Sequence, residues 1–176
     1  MRRILAVVSV LTVAGLTMTP AVADTPPAPP AQPPPAQPPP AAGGQIAQGQ
    51  FVPAQGSALR IRGTAKLIRG ARGSTKLSVH ASGLPAAQAY PTWLHSGACA
   101  DNSPDYMQDP NGPKEPPNEL WASSDPANPK GPLQPSPSGN AKGYGVASWV
   151  ARPEARSVVI HSPDAGNPAL ACADLQ

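Results

Sequence analysis

Apolar or small residues alternate with polar ones from Leu59 to Leu67: Leu59, Ile61, Gly63, Ala65 and Leu67 fall on one side, and Arg60, Arg62, Thr64 and Lys66 on the other. Side chains of an extended strand point to opposite faces in turn, so a period of two predicts a strand with one face buried. Ser74 to Ala81 repeats the pattern with Thr75, Leu77, Val79 and Ala81 inward. Between them, Arg69-Gly70-Ala71-Arg72-Gly73 reads as a hairpin turn. Further strands are predicted over Pro91 to Leu94, Gly143 to Ala151 and Ser157 to His161, and no stretch keeps helical periodicity beyond a turn. The chain therefore reads as all-β.

The segment from Asp101 to Gly139 is rich in Pro, Asn, Asp, Ser and Gly. A connection of that length without its own pattern either counts against the assignment of the strands around it or marks a functional loop. Tyr106 and Trp121 are the residues best able to pin it to the strands, with Glu119-Leu120-Trp121 as a docked turn or short strand. Asp101, Asp105, Asp109 and Glu119 have only loop composition to recommend them as catalytic groups. The three aspartates also lack the glycine and terminal glutamate of an EF-hand calcium loop. His80 falls on the same face as Lys76 and Ser78 and should point to solvent.

The first residues change the expected compartment. Met1-Arg2-Arg3, the apolar run from Ile4 to Leu16 and Ala21-Val22-Ala23 before Asp24 have the three parts of a secretory signal peptide. That run is shorter than the roughly 20 residues of a membrane span, and no second apolar stretch follows. Residues 1–23 are thus expected to leave, and the mature protein to be secreted. Residues 24–47, dominated at first by Pro, Ala and Gln, form a polyproline-rich spacer, and residues 48–176 the folded domain.

With Arg2 and Arg3 removed, 13 basic residues become 11 against 10 acidic ones. The mature chain is near neutral but polarised: Arg60, Arg62, Lys66, Arg69, Arg72 and Lys76 occupy a stretch without an acid. On the predicted hairpin Arg60, Arg62, Lys66 and Lys76 line the solvent face, where they guard against edge pairing or meet an anionic cell-envelope surface. Nucleic acid is not an expected partner, because the chain is exported and no aromatic residues are interleaved with the bases.

The candidate chemistry lies in two segments, Trp93-Leu94-His95-Ser96-Gly97-Ala98-Cys99 and Arg156-Ser157-Val158-Val159-Ile160-His161, the latter running on to Leu170-Ala171-Cys172. With Gly83-Leu84-Pro85 as a turn, they resemble the copper and disulfide landmarks of the copper–zinc superoxide dismutases. The resemblance covers residues from about 57 to 176. It implies a Greek-key β-sandwich or flattened barrel, copper ligation by His95 and His161, and a disulfide between Cys99 and Cys172. Such a bridge suits an exported chain.

The departures bear on function. Trp93 stands where the family has its first copper histidine, and the spacing from His95 to Cys99 is one residue shorter than the family's. The loop from Ala100 to Asn140 has no histidine, so the bridging imidazole and the zinc ligands are missing. Ala169 replaces the arginine that draws superoxide to copper. Two imidazoles suit linear Cu(I) but not the four-donor set that Cu(II) prefers, and fast dismutation needs a field that focuses the anion. The expectation is a catalytically degenerate domain that binds copper weakly or not at all, without zinc. A copper-only dismutase and an extracytoplasmic copper scavenger are the competing functions.

Overall fold

The computed structural model describes residues 44–99 and 104–176. The signal peptide expected over 1–23, the part of the expected spacer before residue 44, and Asp101 lie outside the described residues. The strands are β1 (Gln45–Pro53), β2 (Arg62–Gly70), β3 (Ser74–Ser82), β4 (Thr92–Ser96), β5 (Ala141–Ala147), β6 (Ala155–His161) and β7 (Ala169–Asp174). They form one antiparallel sheet in the order β4-β6-β7-β1-β2-β3-β5. Among the described residues no helix is long and apolar enough to cross a membrane.

The predicted hairpin is β2–β3, with Lys66 opposite Ser78 and Gly70 opposite Ser74. Thr75, Leu77, Val79 and Ala81 are buried and His80 is exposed, as the period-two pattern requires. One detail differs. Arg69 belongs to β2, paired with Thr75, rather than to the turn. Its guanidinium donates to the carbonyls of Ala151 (2.9 Å), Arg152 (3.3 Å) and Ala155 (2.7 Å). Burial pulls the Arg69 pKa down, against the attraction of Tyr106 and Glu154. Arg69 is a structural peg at one end of the barrel.

The strand predicted from Gly143 to Ala151 lies at Ala141–Ala147. It stops where the Thr75 hydroxyl donates to Trp149 O (2.7 Å) and accepts the Ala151 N–H (2.8 Å), pulling the chain out of the ladder. β1 is not among the predicted strands: Ala47, Gly49 and Phe51 alternate with Gln48 and Gln50, but Phe51 is the one large apolar residue turned inward, while Ile46 and Val52 share the exposed face with the glutamines.

The edges of the sheet, β4 and β5, are joined by the long loop. Leu94 N–H donates to Leu120 O (3.1 Å) and Ala122 N–H to Thr92 O (2.9 Å), while Ser123 and Tyr144 exchange both backbone bonds (3.1 and 2.8 Å). Residues 120–123 thus serve as an eighth barrel position, which removes two open edges. The expectation of a docked segment at Glu119-Leu120-Trp121 holds. Tyr106, Leu120 and Leu133 from the loop are buried with Leu67, Leu77, Val79, Leu94, Val158 and Ile160 in one core. Cys99, just beyond β4, is bonded to Cys172 in β7 with Cα atoms 5.8 Å apart.

Candidate metal centre

Leu94 points into the core, so Trp93 and His95, its neighbours on either side, point outward from β4. β6 runs antiparallel beside it with Val159 opposite Trp93, and two residues further His161 lies on the same outer face. An outer face is ordinarily wet, but Trp93, His95 and His161 are all buried. The covering segments include Asp105 and Glu119-Leu120-Trp121 from the long loop and the turn at Asn167.

The two imidazoles meet head-on. His95 Nε2 and His161 Nε2 are 3.1 Å apart while the ring centroids are 5.2 Å apart. His161 Nδ1 lies 2.7 Å from the carbonyl oxygen of Asn167. A carbonyl can only accept, so that nitrogen carries the ring's proton and Nε2 of His161 is a bare lone pair. His95 therefore donates from Nε2 across the gap. Asp105 Oδ1 accepts the Trp93 Nε1–H at 2.7 Å and lies 3.6 Å from His95 Nε2.

Two tryptophan layers support the pair. Trp93 is parallel to His161 (12°, centroids 4.0 Å) and to His95 (10°, 6.0 Å), and its ring also stacks on Trp121 (26°, 5.1 Å). Trp121 Nε1 donates to Glu119 Oε2 at 2.7 Å. Burial drives the His161 pKa down to about 4; the Asn167 bond and Asp105 oppose this, and His95 adds to it. Burial also raises the Glu119 pKa, against the Trp121 hydrogen bond.

Among the described residues, no group of three or more His, Cys, Asp and Glu is placed to hold a metal ion. Both cysteines are in the disulfide, which removes thiolates from the donor set. What remains is two nitrogens aimed at one point; once the proton on His95 Nε2 has left, the set fits a soft monovalent ion such as Cu(I) in linear geometry and neither Cu(II) nor zinc. Imidazole–metal bonds of about 2 Å require roughly 4 Å between the nitrogens, so the 3.1 Å gap must open to admit an ion. His95 and His161, selected from sequence spacing, are brought together; His80 is not, and instead meets Tyr144 edge-on at 6.5 Å.

The other residues singled out in the sequence are dispersed. Lys66 and Lys76 lie on the outer face of β2–β3, Arg62 opens β2 and Arg60 precedes it, all away from the imidazoles. Asp109 caps its own loop by accepting the Asn111 N–H at 3.0 Å. Asp105 had only loop composition to mark it in the sequence and the Asn167 carbonyl had nothing, since each works through a loop that returns to β4 or β6. Trp121 was marked only as a loop anchor.

No family model matches the chain, and no curated protein matches its sequence. Among solved structures it is similar to a variant of superoxide dismutase 5 of Candida albicans, with a TM-score of 0.51 and 20% identity, over 74% of this chain and 87% of that one. At that identity the likeness is one of fold.

Proposed function

Proceeding from a chain that is a domain of the copper–zinc superoxide dismutase-like fold, we propose that it is an exported, non-catalytic member whose remaining chemistry is weak copper binding by His95 and His161. The observation that carries this reading is the closed imidazole pair, 3.1 Å between Nε2 atoms. Bound copper must displace the hydrogen bond between the rings, with the His95 Nε2 proton passing to the other nitrogen of that ring or to solvent, and must widen a packed site, and it gains only two strong donors in return. Dismutation requires the metal to be held as both Cu(I) and Cu(II), and the second form prefers four donors. Ala169, exposed at the start of β7, has no charge with which to draw in an anion.

Copper content and superoxide decay test the proposal together. The mature protein, purified after copper supplementation, is expected to hold substoichiometric copper that is lost in the His95→Ala, His161→Ala double variant. Its superoxide decay rate is expected to be no better than that of free buffered copper at equal concentration. A rate far above that level would establish a copper-only dismutase instead. Tight Cu(I) retention against a strong chelator would favour a scavenger. The export component rests on the pattern over 1–23, and the amino terminus of protein recovered outside the cell, expected near Asp24, tests it.

A further inference from the structure

Trp93 occupies more than the vacated place of a ligand. Its ring is within 12° of parallel to both imidazoles, with centroids 4.0 Å from His161 and 6.0 Å from His95. Any point on the line between the two imidazole centroids is therefore no farther than 6.0 Å from the Trp93 centroid. That is the range over which a cation is attracted by the negative face of an aromatic ring, and indole is the strongest of the natural rings. The ring is also held in place, by Trp121 in stacking contact (5.1 Å) and by the 2.7 Å bond from Nε1 to Asp105.

We propose that the Trp93 indole face is the third element of the His95–His161 site and makes it selective for a soft monovalent cation, Cu(I), over Cu(II). This inference rests on the reading that the two histidines bind copper. A cation between the facing Nε2 atoms would sit within 6.0 Å of the indole centroid and be stabilised by the ring without a further donor atom, which a two-coordinate Cu(I) does not need. The same ring closes one side of the site to the oxygen or nitrogen donors that Cu(II) requires, and the desolvated surroundings penalise the higher charge. Asp105 Oδ1, 3.6 Å from His95 Nε2, accepts the Trp93 Nε1–H at 2.7 Å and so ties the position of the ring to the histidine pair.

The test is titration of the full mature protein with Cu(I) under anaerobic, reducing conditions against a competing chelator, and separately with Cu(II), while tryptophan fluorescence is followed. Wild type is expected to bind Cu(I) more tightly than Cu(II), with quenching by Cu(I) that vanishes in the His95→Ala, His161→Ala variant. Trp93→Leu should weaken Cu(I) binding about thirtyfold, the equivalent of a desolvated cation–π contact, and leave Cu(II) unchanged. Trp93→Phe, which keeps a ring of similar shape, should lose a few-fold for Cu(I) only and serves if the leucine variant does not fold. Equal Cu(I) affinity in wild type and either folded variant would overturn the role of Trp93 and leave copper binding by the histidines standing. Absence of Cu(I) binding by wild type would overturn both.

Discussion

His161 is buried and fastened at both ring nitrogens, and its titration follows chiefly from the burial, which the bond to Asn167 opposes and the neighbouring His95 reinforces. Nδ1 donates to Asn167 O at 2.7 Å and Nε2 accepts from His95 at 3.1 Å. A second proton on the ring would set two N–H groups against each other in a buried site. The folded pKa of about 4 lies below the ordinary imidazole value of 6.5. Between those values the unfolded chain takes up a proton that the native chain refuses, so stability is fully present above pH 6.5 and falls as pH drops toward 4. The loss attributable to His161 is about 3 kcal/mol. Urea unfolding across this range should show a steeper decline in wild type than in His161→Asn; parallel curves would refute the assignment. His95 and His161 were legible because their flanking residues resemble a known pattern. Asp105 and Asn167 were not, because a carboxylate or a carbonyl in a loop becomes relevant only when the loop's path is known.

At the scale of an element, β5 shows what a correctly read strand still conceals. Its inward positions Ala141, Gly143, Gly145 and Ala147 are small, and the sequence pattern offers no reason why. The reason is the returning loop: a Cβ on Gly145 would lie 2.2 Å from Trp121 O. Gly145→Ala is therefore expected to cost about 1–3 kcal/mol, as overpacking does, and to loosen Trp121 from Trp93. Val146→Thr, next in sequence but 70% exposed, should change stability by no more than about 0.5 kcal/mol. Urea denaturation compares the two, and near-ultraviolet circular dichroism should register the displaced tryptophan only in the first. Equal stability of both variants would mean that residues 120–123 are not held as described. Arg69 makes the same point: its charge was read as a turn residue's, yet three carbonyls from the β5–β6 connection and β6 enclose the guanidinium.

For the whole molecule, the long loop is part of the barrel, and the bridge from Cys99 to Cys172 ties β4's end to β7 across a sequence separation of 73. Loop closure of that length contributes about 4 kcal/mol in the chain-entropy picture. The Cys99→Ser, Cys172→Ser variant should lose about that much in urea unfolding; a loss below roughly 1 kcal/mol would mean that the backbone bonds of residues 120–123 already hold the loop. Sequence alone determined the all-β class, the β2–β3 hairpin and its inward face, the outward direction of His80 and the pair of histidines worth pursuing. Each of these follows from period-two geometry or from residues adjacent in the chain. The tertiary structure decided that β1 forms and pairs with β2 and β7, that Arg69 turns inward, and that a ligand-poor loop closes the barrel. It also decided that two histidines 66 residues apart share a hydrogen bond beneath Trp93. Those outcomes depend on which distant backbone fills each unpaired edge, a question of pairing and packing across the whole sheet that local patterning does not contain.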